Sequence, residues 1–527
     1  MTLLTGVRRV GLAFTSAGAL FLALPPVDLG LLGWVALVPL HFALRDLRPT
    51  RAALLGALFG VATSLATFAW IFRFEAFRLH HAIVLGAWLA LFPAVLAVVW
   101  SRFARDPRAL LFVPLAAATL DWVRGHAGFL AFPWATTAQT QHANLPLLQL
   151  ASVGGEGLVT LVVVAVNVAI ALLVDRRPFR RPALGVIAIA AGLHGAGAVA
   201  LAQPEHGRPM LVAAVQPAIL PESRSGAHEE AAFERLAALT REAAAEGAAL
   251  VVWPETAVRD PERDLATKLR IREVVEETAT PVLFGASETE KLGSGPPSAD
   301  APSARSFNSA YLMQPGRPVS EPYRKVRLLP FGEYQPLAGT IAWPSWLAPR
   351  MFDTAPGDAR RALELLPEDE AESAARIEPI ICWENLFADD VRETATPAPS
   401  MITHLVNDAW FGPTAQPELH SLVSAFRAVE NGRAVVVASN TGPSEIIDPR
   451  GRVLARTRTP FAPAQVTATI HLEGGMTFYR RAGDLAWFLP AVVAAAGLVC
   501  SRKRRVVRSP RTVLPGLGRT SGGPAPS

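Results

Sequence analysis

"ALVVWPE", residues 249–255, decides how the second half of this chain folds. An unbroken apolar run of this length suits a strand buried on both faces, and it ends in an acid, Glu255. Just before it, "HEEAAFERLAALTREAAAEG" (228–247) has the spacing of an amphipathic helix and a glycine stop at Gly247. Outward from this pair the alternation continues. "PMLVAAVQP" (209–217) and "TPVLFGASE" (280–288) read as strands, and a helix is expected over about 260–279. "SAYLMQ", "EPIICWE", "ITHLVNDAW" and "AVVVASNTG" add further strands, with a helix at 414–432. Alternating strands and helices predict an α/β domain whose sheet is covered by helices. In such folds catalytic groups gather where strands end.

The first half is of another kind. The 527 residues are 51% hydrophobic, and the mean hydropathy is positive. Seven long apolar segments fall at about 10–25, 29–44, 52–72, 82–101, 109–124, 157–174 and 183–202, and an eighth at 484–500. Several approach the roughly 20 residues a helix needs to cross a bilayer. Arginine clusters at 8–9, 45–51, 101–108, 175–181 and 502–508 sit at alternate ends of these segments. That pattern sets a cytoplasmic side and reads as topology, not as nucleic-acid contacts. The chain is therefore expected to hold a membrane domain with seven spans at 1–203 and a periplasmic catalytic domain at 204–480. An eighth span at 481–501 and a disordered cytoplasmic tail at 502–527 complete it.

Three strand-end residues form a chemical set: Glu255, Lys325 in "EPYRKVRLLPFGEY" (321–334) and Cys382 in "IICWEN" (380–385). A thiol is mostly protonated near neutral pH, so it needs a base to become a nucleophile. A buried carboxylate can be that base, and an ammonium can stabilise both a thiolate and an oxyanion. The spacing alone leaves a structural cysteine as the alternative. The other cysteine, Cys500, ends an apolar run, and two cysteines cannot build a disulfide framework. No zinc-type Cys/His cluster is evident, and no metal or cofactor is expected. His80 and His81 are adjacent, which suits metal ligation poorly.

"VVWPET", "YRKVRLLPFGEY", "IICWEN", "NDAWFG" and "ASNTG" together resemble the nitrilase, or carbon–nitrogen hydrolase, superfamily. With the apolar segments, and with "FPWATTAQTQHANLPLLQLASVGGEG" (132–157), the chain is similar to its membrane branch, the apolipoprotein N-acyltransferases. That resemblance implies an αββα sandwich beside a multi-pass membrane domain. It implies Glu255 as base, Lys325 as stabiliser and Cys382 as nucleophile, with Glu333, Trp383 and Glu384 as supporting site residues. It also implies a phospholipid acyl donor, an apolipoprotein acceptor, a bacterial inner-membrane location and no nucleic acid; a monomer is expected. The alternative is a tethered amidase acting on a soluble C–N substrate. Two positions depart from the family: Trp383 replaces a tyrosine, and 216–230 lacks a tryptophan.

The loop 334–352 carries Trp343, Trp346, Leu347, Met351 and Phe352. Outside the membrane it suits a lid at the bilayer interface; an ordinary loop folded into its own domain is the alternative. Asn407 and Asp408 are accounted for by turn chemistry, and His420 by either a pocket or a surface position.

Overall fold

A computed structural model describes residues 2–74, 77–175, 179–220, 227–291, 304–348, 353–367, 373–394 and 397–483. The first half is helical. Pro49–Thr67, Leu79–Phe103, Ala151–Val174 and Arg180–Leu201 are long and apolar enough to cross a membrane. Thr2–Leu22 and the 17-residue Ala109–Gly125 pack beside them. Pro49–Thr67 lies closely on Leu79–Phe103 because Gly56 and Gly60 have no side chain there. A Cβ on Gly60 would stand 2.9 Å from the Ala90 Cα, and one on Gly56 3.0 Å from the Ala94 Cα. Small residues at such a crossing let dispersion act where lipid gives no hydrophobic drive between helices.

The expected second span, 29–44, is not one helix. It breaks into a 3₁₀ turn, Gly30–Trp34, and a seven-residue helix, Val38–Leu44. The break is repaired by the buried Asn167 of Ala151–Val174. Its Oδ1 accepts from the Leu37 N–H and its Nδ2 donates to the Gly33 carbonyl, each at 2.8 Å. Backbone groups freed in an apolar setting need such partners. The third segment also stops early, at Thr67, and continues as a 3₁₀ turn, Ala69–Arg73. The expected eighth span and the tail lie outside the described residues.

Two sheets make up the second half. One has the order β13 (Ala464–Leu472), β1 (Arg208–Gln216), β2 (Leu250–Val252), β4 (Val282–Lys291), β5 (Ala304–Met313) and β6 (Tyr323–Arg324). The short β3 (Val258–Arg259) pairs with β4. The other runs β12 (Val453–Arg456), β11 (Glu445–Ile447), β10 (Val435–Ser439), β9 (Ser400–Val406), β8 (Ala375–Ile381) and β7 (Leu363–Leu365).

Strand alternation then builds the layers. Val212, Ala214, Leu250 and Val252 meet Ile381, Met401, Leu405 and Val436 in the core between the sheets. Ala213, Val215 and Val251 face the other way, against the helices Ala227–Ala245 and Leu265–Thr278. Ile402, Val406, Val435 and Val437 turn outward onto Ala428 of Val423–Asn431. The result is helix, sheet, sheet, helix. The helix expected at 414–432 is split into Gln416–Ser421 and Val423–Asn431.

Candidate active site

Lys325 directly follows β6, where its N–H donates to the Asn308 carbonyl of β5 at 2.8 Å. Its side chain is 1% exposed, and its Nζ lies 2.9 Å from Glu333 Oε2 and 3.8 Å from Glu255 Oε1. Asn308 ties the two acids together. Its Nδ2 donates to Glu255 at 2.7 Å and reaches Glu333 Oε1 at 3.4 Å. Glu333 is fixed in turn by the Leu329 N–H at 2.7 Å. Glu255 follows β2, and Gly285 of β4 allows its loop to lie close. A Cβ on Gly285 would come within 2.7 Å of the Glu255 Cα.

Cys382 stands where β8 ends and the 3₁₀ turn Cys382–Leu386 begins. Its φ is +51°, a left-handed conformation that disfavours any residue with a side chain. Two histidines hold its carbonyl: the Nε2 atoms of His404 and His420 each lie 3.1 Å from the Cys382 oxygen. Behind His420, its Nδ1 meets Asp408 Oδ2 at 3.1 Å, and Gln416 donates to Asp408 at 3.0 Å. Burial tends to lower the His420 pKa, but the Asp408 carboxylate outweighs it and the pKa is raised. His404 goes the other way, held well down by burial and then by the charge of His420. It is therefore a neutral imidazole whose Nε2 carries the hydrogen, with Nδ1 3.4 Å from the Ser424 hydroxyl.

Cys382, Glu255 and Lys325 act on one another electrostatically. Burial, then the Glu255 charge, pushes the Cys382 thiol well up, against the pull of Lys325. Burial also raises Glu255, again opposed by Lys325. Burial acts to lower Lys325, but Glu333, Cys382 and Glu255 overcome it and raise its pKa. The cysteine thus rests as a thiol and the lysine as an ammonium. A thiolate forms only as its proton passes to a base during attack on an electrophile.

The other expected site residues are placed as follows. Glu384 is 0% exposed, and its carboxylate is engaged by groups of the protein itself. It accepts from the Tyr323 hydroxyl at 2.8 Å, from Ile381 and Val326 N–H groups at 2.9 Å, from Arg327 N–H at 3.0 Å and from Arg360 at 3.0 Å. It is a strut that binds the cysteine turn to the Lys325 segment. Trp383 packs on Phe132, Trp134 and Phe387. Trp343 is turned into its own loop, with Nε1 on the Pro336 carbonyl at 2.6 Å and its ring on Phe331. Trp346 is 63% exposed and stands against the His80 ring. His80 and His81 contact the carbonyls of Trp346 and Leu347 at 2.5 and 2.9 Å. Among the described residues no cluster of possible metal ligands occurs. Met351, Phe352 and Cys500 lie outside the described residues. His404, Asp408 and Asn308 belong to the site without having been singled out for it. A histidine among the apolar residues of "ITHLV" is the signal that was available for the first.

The Cys382 turn docks on the helical half. Leu24, Phe68, Trp70, Leu89 and Trp134 form one apolar cluster with Trp383, Leu386, Phe387, Leu419 and Val423, and Cys382 packs against it. Beside it opens a cavity of about 800 Å³. Val326 and Trp383, the residues after Lys325 and Cys382, line it together with Phe129 and Ala131 of the helical half. Its volume is that of a pocket for a sizeable organic ligand.

A two-sheet sandwich with an acid, an ammonium and a thiol at its strand ends defines a class. The carbon-nitrogen hydrolase family matches residues 211–477. The apolipoprotein N-acyltransferase N-terminal domain matches residues 16–169. Apolipoprotein N-acyltransferase of Geobacter metallireducens is 30% identical, over 94% of this chain and 96% of its own length. That of Gloeobacter violaceus is 32% identical, over 92% of each. A mutant of the Nesterenkonia AN1 amidase from the nitrilase superfamily covers 53% of this chain and 95% of its own at 17% identity, with a TM-score of 0.37. The chain belongs to the apolipoprotein N-acyltransferase family, within the carbon–nitrogen hydrolases.

Proposed function

We propose that this enzyme N-acylates apolipoproteins at a bacterial membrane, using a phospholipid as donor and Cys382 as the carrier. In the first half-reaction Glu255 takes the Cys382 proton while Sγ attacks an ester carbonyl of the phospholipid. Lys325 stabilises the oxyanion. The C–O bond to the lysophospholipid breaks, Glu255 returns the proton to the leaving oxygen, and a thioester remains. In the second half-reaction the free α-amine of an N-terminal diacylglyceryl-cysteine attacks the thioester carbonyl. Glu255 takes the amine proton, the C–S bond breaks, the proton passes to Cys382, and an amide is formed. Glu333 keeps the Lys325 ammonium aimed between the acids. Transfer outruns hydrolysis where the site excludes water. The chemistry needs no metal or cofactor.

The observation that carries this reading is the position of Lys325. It lies buried between Glu333 and Glu255, beside a cysteine turn that packs on the membrane-type helices. A soluble amidase has no use for a nucleophile seated against such helices, whereas a lipid ester must enter from them. On this reading the α/β domain at 204–480 faces the periplasm, seven spans precede it, an eighth follows at 481–501, and the chain acts as a monomer. The exposed Trp346 beside the start of Leu79–Phe103 suits a loop that meets the bilayer surface.

Complementation of a Gram-negative strain depleted of its own acyltransferase tests the proposal, with lipoprotein N-termini read by mass spectrometry. Growth with triacylated lipoproteins is expected. Depleted cells that keep diacylated lipoproteins despite full expression would overturn it.

A further inference from the structure

The nucleophile's carbonyl carries two hydrogen bonds that the reaction above does not use. Both donors are ring nitrogens, from different elements, at the same 3.1 Å. His404 comes from β9, on the face that also carries Ile402 and Val406. His420 comes from the helix Gln416–Ser421. Both side chains are buried, where a polar ring costs stability unless it is paired. Each ring is also fixed from behind. Asp408 holds His420, and the Ser424 hydroxyl stands at the far nitrogen of His404. The rings themselves meet edge to face, with centroids 5.1 Å apart.

The held group is the carbonyl of a residue with φ +51°. This carbonyl also opens the 3₁₀ turn Cys382–Leu386, and the two ring donors add to the hold of that short turn. Two ring donors converge on the same oxygen. The side chain on that same residue has Glu255 and Lys325 as its main charged neighbours. Any rotation of the peptide about Cys382 moves Sγ relative to both.

We propose that His404 and His420 are positioning residues for acyl transfer: together they clamp the Cys382 carbonyl and so hold the nucleophile in its left-handed conformation. Asp408 serves the clamp by fixing the His420 ring. This rests on Cys382 being the nucleophile. The histidines touch neither donor nor acceptor, so substrate affinity is outside their reach. Their loss lowers the rate of the chemical step.

The test compares two variants that keep a polar side chain, His404→Gln and His404→Asn. A glutamine amide nitrogen reaches the place of Nε2, so it can still donate to the Cys382 carbonyl. An asparagine amide reaches only the place of Nδ1. The readout is formation of the Cys382 acyl adduct from phosphatidylethanolamine in detergent, followed by mass spectrometry over a range of lipid concentrations. His404→Asn should slow adduct formation about 100-fold, the scale of a misplaced reacting atom, with the half-saturating lipid concentration unchanged. His404→Gln should recover most of that loss, and His420→Gln should fall between the two because it leaves Asp408 without its ring. Equal rates for His404→Asn and the wild type would overturn the clamp, as would equal losses for asparagine and glutamine. Cys382→Ala separates this from the nucleophile reading. That variant never forms the adduct, whereas the clamp variants reach full adduct slowly.

Discussion

Replacing Lys325 by glutamine removes the ammonium that stands beside Glu255 and pulls on the Cys382 thiol. At 3.8 Å from Glu255 Oε1, and with an effective dielectric of about 20, the lysine contributes roughly 4 kcal/mol of attraction to the ionised carboxylate. Losing one preorganised stabiliser of an oxyanion costs on the order of 10²–10³ in rate. Two effects therefore follow from Lys325→Gln. The rate of acyl-enzyme formation falls about 100- to 1,000-fold at its optimum. The pH dependence moves as well. Glu255 must be ionised to accept the thiol proton, and burial already lifts its pKa above the ordinary 4.5. In the wild type the acid limb of the rate therefore lies above the usual glutamate range. Lys325 opposes that rise and the Glu333 charge adds to it, so removing the lysine raises Glu255 further. The acid limb of the variant must shift to higher pH. The assay is single-turnover acylation of Cys382 across pH 4–9, quenched and read by intact mass. A variant with the wild-type rate would refute the role of Lys325. A slowed variant whose acid limb has not moved would refute its coupling to Glu255.

Other perturbations have defined outcomes. Glu384→Gln puts an amide where Oε2 accepts the Ile381 N–H at 2.9 Å. One buried donor is orphaned at about 1–3 kcal/mol, so the thermal midpoint of the detergent-solubilised chain should fall; an unchanged midpoint would contradict the strut. Gly285→Ala forces a Cβ to 2.7 Å from the Glu255 Cα and 2.8 Å from the Thr256 nitrogen. Acylation should drop about 100-fold through displacement of Glu255, while a preserved rate would mean that the loop gives way freely. Arg427, 1% exposed, lies 3.1 Å from Glu430 and 3.3 Å from Glu156 of the helical half. Arg427→Met takes this cation from the buried Glu430 and the partly buried Glu156 at roughly 3–5 kcal/mol, and limited proteolysis should then cut more readily at the junction of the two halves.

The sandwich was legible because its strands are apolar on both faces and alternate with helices. "ALVVWPE" and "ITHLV" could hardly fold otherwise. Glu255 and Cys382 stood out because they follow such strands and Lys325 because it follows the short β6, and the fold brings Glu255 and Lys325 within 3.8 Å. Other features were hidden for physical reasons. Hydropathy counts apolar residues but does not see a backbone break, so 29–44 read as a span although Asn167 repairs a kink there. Glu384 read as a supporting site residue, and its part in bracing the cysteine turn was not visible. Its five hydrogen-bonded partners come mostly from 57 or more residues away, which no local pattern reveals. The same distance hid His404 and Asn308. Trp343 read as part of a lid loop, and the bond of its indole to the Pro336 carbonyl within that loop was not visible in the sequence.

The most direct test of the account is a two-stage experiment on Cys382. The purified chain is incubated with phospholipid, freed of excess lipid, and then given a diacylglyceryl-cysteine peptide with a free α-amine. The account predicts a long-chain acyl mass on Cys382, sensitive to hydroxylamine, that disappears as the same acyl group appears in amide linkage on the peptide. Triacylated product from a Cys382→Ala chain would contradict it, and so would an adduct that is lost only to water.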